Sequence, residues 1–194
     1  LHDIGKLWIP PEILKSRERL PDMEFNIIKK HPTYGYGIAK QSGLEDTVIL
    51  NSILYHHEQW DGNGYNEGKK GEEIPFESRL MMVADVYDAL TTARPYKKAW
   101  SPYDATTFLI QETKKKFDPF IVNLFLKVFG LYPVGTHVAL SSGHTGVVVG
   151  NKTGAVSRPL VRLNDGQNTI LDMFVDRGVF IKQVLSDTSQ LVVN

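Results

Sequence analysis

Apolar and polar positions recur along the chain at two different periods, and the change falls near residue 130. Before it the spacing is helical. Pro10-Pro11-Glu12-Ile13-Leu14 starts a short helix, because proline suits a first helical position. Pro21-Asp22-Met23-Glu24 opens a stronger one along which Phe25 and Ile28 recur, and Pro32 is expected to break or kink it at His31. Val48, Ile49, Ile53 and Leu54 make the stretch from Glu45 to Glu58 amphipathic. Gln59 to Ile74, rich in Gly, Asn, Lys and Glu, reads as a loop. A long helix is predicted from about Pro75 to about Thr92. Ser101-Pro102-Tyr103-Asp104 caps another, and Asp118-Pro119 caps the last, which runs to about Phe129.

Gly130-Leu131-Tyr132-Pro133 ends this pattern. Valine-rich runs follow at His137–Leu140, Gly146–Gly150, Leu160–Leu163 and Val179–Val184, separated by turn residues, and they read as strands joined by hairpins. The expected fold class is mainly α. A helical domain occupies residues 1–130, and a small β-rich, barrel-like appendage occupies residues 131–194.

Composition narrows the function. The 194 residues are 42% hydrophobic and 23% charged, which is globular rather than disordered. Twenty-two basic residues balance 22 acidic ones, so nothing electrostatic favours a nucleic-acid polymer or a membrane surface. With no cysteine, disulfides, thiolate metal sites and thiol nucleophiles are excluded. No apolar run approaches the ~18 residues of a membrane span and no signal peptide is visible, so a cytoplasmic location is expected. The chain opens on Leu1-His2-Asp3, inside a motif, and is read as a fragment.

Four of the six histidines fall within the first 57 residues: His2, His31, His56 and His57. They are accompanied by Asp3, adjacent to His2, and by Asp85 in the long helix. A single helical histidine is usually structural, but imidazoles and carboxylates in this number suit Mn, Fe, Ni, Co or Zn. A carboxylate can bridge two metals through its two oxygens. Two metals about 3.5–4 Å apart can clamp a phosphoryl group for in-line attack.

The motifs spell a known pattern. They are His2-Asp3-Ile4-Gly5-Lys6, His31-Pro32-Thr33-Tyr34-Gly35, and His56-His57-Glu58-Gln59-Trp60-Asp61-Gly62-Asn63-Gly64-Tyr65. Gly71-Glu72-Glu73-Ile74-Pro75 and Asp85-Val86-Tyr87-Asp88-Ala89-Leu90-Thr91-Thr92-Ala93-Arg94-Pro95-Tyr96 complete it. Over residues 1–130 the chain resembles an HD-GYP domain, a helical bundle of the HD phosphohydrolase superfamily that hydrolyses cyclic di-GMP. The resemblance implies two divalent transition metals, Fe or Mn. Asp3 would bridge them, His2 and Asp85 would bind one, and His31, His56 and His57 the other. It also implies that Lys6 contacts the scissile phosphate, that Arg94 and Lys97 hold the substrate's phosphates, and that Tyr65 shapes the nucleotide pocket. The implied activity is a phosphodiesterase yielding pGpG, GMP or both, with a sensory or receiver domain upstream.

Two departures qualify the resemblance. The signature Gly-Tyr-Pro stands here as Gly64-Tyr65-Asn66, which lacks proline's fixed φ. A further histidine ligand of the family precedes the His–Asp pair, so the His2–Asp85 site is expected to be incomplete in this fragment. Two alternatives to the enzyme stay open. One is a module that binds cyclic di-GMP, or a diguanylate cyclase (GGDEF) domain through the Gly64-Tyr65-Asn66 loop, with little turnover. The other is an HD phosphohydrolase for another cyclic dinucleotide. Glu58 and Asp88 are expected to orient ligands or cap backbone, and Trp8 and Trp100 to lie in the core or at its edge.

Overall fold

The computed structural model describes residues 1–16, 18, 20–93 and 98–185. Among them are seven α-helices followed by five β-strands, the mainly helical chain with a β-rich end that the periodicity predicts. The helices are α1 (Pro11–Leu14), α2 (Asp22–Ile28), α3 (His31–Gln41), α4 (Thr47–Tyr55), α5 (Phe76–Thr91), α6 (Pro102–Gln111) and α7 (Pro119–Phe129). No helix of the described residues is long and apolar enough to cross a membrane. The chain divides into two compact units, Leu1–Val86 with Glu112–Ile121, and Tyr87–Gln111 with Val122–Asn194.

The first unit is built around α3, which packs on α4 and on a 3-10 helix, Ile4–Trp8, that the apolar pattern does not reveal. Ala39, Leu50 and Ile53 are buried between α3 and α4, with Tyr36, Leu44 and Ile49 around them. Pro32 does not kink α2. It lies in the first turn of α3, where the N–H it lacks has no helical partner anyway, so it begins a new helix two residues after α2 has ended. Asp46 caps α4, its Oδ1 accepting from the N–H groups of Val48 at 2.8 Å and Ile49 at 3.2 Å. Asn51 and Ser78 fasten α4 to α5, with Asn51 Nδ2 donating to Glu77 Oε1 at 2.7 Å and Ser78 Oγ to the Asn51 carbonyl at 2.9 Å.

The tightest junction joins the 3-10 helix to α3. A Cβ on Gly5 would lie 1.9 Å from the His31 carbonyl oxygen and 2.4 Å from the Gly35 nitrogen. On Gly35 it would lie 2.9 Å from Ile53 Cγ2 and 3.2 Å from the Gly5 nitrogen. Two backbones therefore touch where neither residue has a side chain. Trp8, at the end of the 3-10 helix, is 62% exposed, which corrects its expected place in the core or at its edge; its ring lies 5.8 Å from that of Tyr34. Trp100, 39% exposed, is at the edge.

In the second unit the strands β1 (His137–Leu140), β2 (Thr145–Gly150), β3 (Leu160–Leu163), β4 (Ile170–Asp172) and β5 (Ile181–Val184) form an antiparallel sheet of order β4-β3-β2-β1-β5. Val138, Leu140, Val148, Val161 and Met173 are its buried core. Strand alternation is visible in β1, where Val138 and Leu140 are buried and the residues preceding each are half-buried. Strand β4 was not expected, since three residues leave no alternation to read.

Gly5→Ala is expected to destabilise the protein by about 3 kcal/mol, because backbone atoms must move to admit the methyl group. Gly37→Ala, also in α3 but with nothing within 4 Å of the new Cβ, is expected to be neutral or to stabilise by about 0.5–1 kcal/mol. Chemical denaturation of both variants checks the contrast; equal stabilities would contradict the close approach.

Candidate metal centre

Four elements deliver the site. His2 and Asp3 precede the 3-10 helix, which the Gly5 contact presses against the first turn of α3, so Asp3 meets His31. His56 and His57 follow α4, and Asp85 comes from α5. His31 and His56 are buried, 1% and 0% exposed.

Each buried imidazole is oriented by the backbone three residues earlier. His31 Nδ1 lies 2.8 Å from the Ile28 carbonyl, and His56 Nδ1 lies 2.8 Å from the Ile53 carbonyl. A carbonyl only accepts, so Nδ1 carries the proton in both rings and Nε2 presents a lone pair. The two Nε2 atoms are 3.2 Å apart, and Asp3 Oδ1 is 3.2 Å from one and 3.8 Å from the other. Three electron-rich atoms so close together need a cation between them. Ligands about 2.1 Å from one ion and about 90–110° apart stand about 3.0–3.4 Å from each other; two of the three separations here fall in that range, and the His56–Asp3 one is wider at 3.8 Å. His57 adds a fourth donor: one ligand atom from each of Asp3, His31, His56 and His57 lies within 4.8 Å of the others.

The second oxygen of Asp3 faces elsewhere. Its Oδ2 lies 3.5 Å from His2 Nε2, which is itself 3.5 Å from Asp85 Oδ1. Asp3 thus turns one oxygen to the three-histidine group and the other to His2 and, through it, Asp85. The donor set of nitrogens and carboxylate oxygens, without sulfur, fits a divalent transition metal.

The electrostatics keep these groups in ligand form. Burial opposes ionisation of Asp3, but its polar surroundings, His31, His56 and the Lys6 ammonium, outweigh it and hold the carboxyl far below the usual range. Burial, with the neighbouring His56 and His31, lowers His57 to about 3. His2 is also lowered, by burial first, against the opposing pull of Asp3 and Asp85. All three are therefore deprotonated donors near neutral pH.

Lys6 Nζ lies 2.6 Å from Asp3 Oδ2, so the expected phosphate contact is, in this structure, an ion pair at the edge of the cluster. Tyr65 stacks on His57, centroids 4.7 Å apart and planes at 27°. Burial, then the Asp3 and Asp85 charges, push its phenol upward, so it remains a protonated donor. Arg94 and Lys97 lie outside the described residues. The carbonyl partners at Ile28 and Ile53 were not anticipated; no residue type marks a backbone acceptor in sequence.

Between about 3 and the ordinary value of 6.5, the unfolded chain binds a proton at His57 that the folded protein does not. The stability this contributes is complete above pH about 6.5 and is lost as the pH falls toward about 3. In the presence of chelator, unfolding free energy is expected to drop between about pH 7.5 and about pH 5, and less steeply in His57→Gln. Parallel profiles would show that His57 is not held neutral.

The chain is similar to several known proteins. It is 38% identical over 163 residues to a cyclic di-GMP phosphodiesterase of Pseudomonas aeruginosa, covering 84% of this chain and 39% of that one. It is 37% identical over 128 residues to a 3'3'-cGAMP-specific phosphodiesterase of Vibrio cholerae, covering 66% of this chain and 24% of that one. Other relatives, 34% to 42% identical, also bear the cyclic di-GMP phosphodiesterase name. The chain spans well under half the length of each of these. An HDG"Y"P protein from Bdellovibrio bacteriovorus, 21% identical, shares the fold with a TM-score of 0.50 over 63% of this chain and 39% of its own. The HD domain family model matches residues 1–121, the stretch that carries every candidate metal ligand. The resemblance read from the motifs is thereby borne out: the chain belongs to the HD domain family, which implies a bound divalent metal, and the cluster of Asp3, His31, His56 and His57 could hold one.

Proposed function

We propose that this chain is the hydrolytic part of a metal-dependent phosphodiesterase that opens cyclic di-GMP to pGpG, GMP or both. The observation that carries the reading is the convergence of two imidazole lone pairs, fixed 3.2 Å apart by backbone carbonyls, on the carboxylate of Asp3. The names borne by the relatives support the substrate.

His31, His56, His57 and Asp3 would hold one ion, and His2, Asp85 and Asp3 the other, with Asp3 bridging. Fe and Mn both suit these donors. The second set has fewer donors from this chain and is expected to bind more weakly. Divalent ions bound there supply Lewis acidity to the phosphoryl oxygens and acidify the attacking water. The remaining work falls to the chain itself. Lys6 brings an ammonium to the rim of the cluster, where charge develops on the non-bridging phosphate oxygens as attack proceeds. Tyr65, protonated and stacked on His57, offers a face and a donor to the nucleotide. Arg94 and Lys97 would bind phosphate away from the reacting bond, where they would affect affinity more than rate. Residues 1–130 would form the catalytic domain and 131–194 an appendage to it. In a longer protein, an upstream sensory or receiver domain would control it in the cytoplasm, and a GGDEF domain is a candidate partner for the Tyr65 loop.

A second reading, that the substrate is another 3',3'-linked cyclic dinucleotide, is favoured by the similarity to a 3'3'-cGAMP-specific enzyme. Competition between cyclic di-GMP and 3'3'-cGAMP for turnover separates the two.

Asp3→Ala is expected to abolish hydrolysis and deplete both metals, as one carboxylate serves two ions; near-normal turnover with metal content intact would refute the bridging role. Lys6→Ala is expected to lower turnover about 10²–10³-fold while metal content stays near the wild-type level, since an ammonium is not a ligand. Metal analysis beside single-turnover rates checks both. Loss of metal in Lys6→Ala would make Lys6 structural.

A further inference from the structure

The residue that follows the histidine pair is a carboxylate, and Glu58 is buried, 1% exposed. A buried charge is costly unless hydrogen bonds satisfy it. Glu58 Oε1 accepts from two backbone N–H groups, Glu67 at 2.7 Å and Gly68 at 3.1 Å, while its buried Oε2 has no hydrogen-bond partner among the described residues. Both donors belong to the turn that follows Tyr65.

That turn is held in an unfavourable shape. Asn66 has φ 132°, a region few side chains enter and one closed to proline, whose ring fixes φ near about −65°. Such a conformation persists only where its surroundings impose it. Three contacts do so. Tyr65 N donates to the His57 carbonyl at 3.2 Å, Thr33 Oγ1 donates to Asn66 Oδ1 at 2.8 Å, and Glu58 grips the next two amides. Of these the Glu58 contacts hold two successive amides with one oxygen and are less exposed than the Thr33–Asn66 bond. Gly64 completes the fit: a Cβ there would lie 2.3 Å from the Gln59 nitrogen and 2.6 Å from Glu58 Cα.

We propose that Glu58 is a positioning residue: by holding the Glu67 and Gly68 amides it fixes the turn so that Tyr65 stays stacked on His57 beside the histidine–aspartate cluster. Its consequence for substrate rests on the cyclic-dinucleotide reading above; its grip on the turn does not. Because Glu58 is placed one residue after His57, a single carboxylate ties the geometry of the nucleotide-facing tyrosine to that of the candidate metal ligands.

The test compares wild type, Glu58→Gln, Glu58→Asp and Glu58→Ala by amide hydrogen exchange, metal content and steady-state kinetics with cyclic di-GMP. In Glu58→Ala the Glu67 and Gly68 amides are expected to exchange at least about tenfold faster, with metal content unchanged. KM is expected to rise about tenfold while kcat changes less, because the tyrosine contributes binding rather than chemistry. Glu58→Gln keeps an acceptor oxygen and should restore all three readouts. Should Glu58→Ala fail to fold, Glu58→Asp, whose carboxylate is withdrawn by one methylene, should show the same faster exchange and raised KM beside a normal Glu58→Gln. Unchanged exchange and KM in Glu58→Ala would overturn the proposal, as would loss of metal from the folded variant or a Gln variant as defective as the alanine one. If wild type turns over no cyclic dinucleotide, the proposed substrate fails, while amide exchange and metal content still decide the role of Glu58.

Discussion

The site depends on a contact between two stretches of backbone. Gly5 and Gly35 let the 3-10 helix lie against the first turns of α3 at a distance no side chain would permit. Asp3 is thereby brought to 3.2 Å from His31 Nε2, although the two residues are far apart in the chain. Everything else in the cluster is measured from that carboxylate. His56 and His57 reach it from the end of α4, and His2 carries the contact on to Asp85 in α5. A methylene of displacement at the glycine junction would move one donor relative to the rest, and metal coordination tolerates only a few tenths of an ångström.

The cluster is prepared electrostatically before any ion arrives. The protons of His31 and His56 are committed to backbone carbonyls, so each ring has one orientation and one free lone pair. Burial favours neutral His57, and the Lys6 ammonium favours ionised Asp3. Facing lone pairs and a carboxylate in a buried place are unfavourable by themselves, which is the condition in which a cation gains most. The stacked Tyr65 and the Lys6 ammonium border this region without belonging to the donor set, as suits groups that meet substrate.

Much of this was legible in the sequence, for identifiable reasons. The helices α4 to α7 announce themselves through apolar spacing and, for α6 and α7, through Ser101 and Asp118, whose side chains accept from the first-turn amides. Strands β1 and β3 have the bounds that their valine-rich runs between turn residues suggest. The six candidate ligands stand out as histidines and aspartates in motifs. What was not legible is what depends on tertiary context. Pro32 is compatible with both a helix break and a helix start, and only the packing of α3 decides. The Ile4–Trp8 helix is too short to show a period, and Trp8 is exposed despite its apolar ring. The left-handed φ of Asn66 and the grip of Glu58 on two amides are properties of backbone, which side-chain identity encodes weakly.

The central claim is that one ion sits between the Nε2 atoms of His31 and His56 and an oxygen of Asp3. Anomalous diffraction from crystals loaded with Mn or Fe tests it directly. The account predicts a peak about 2.0–2.3 Å from His31 Nε2, His56 Nε2 and Asp3 Oδ1 together. An ion bound through Nδ1 of either ring, or a peak that leaves Asp3 uncoordinated, would contradict it.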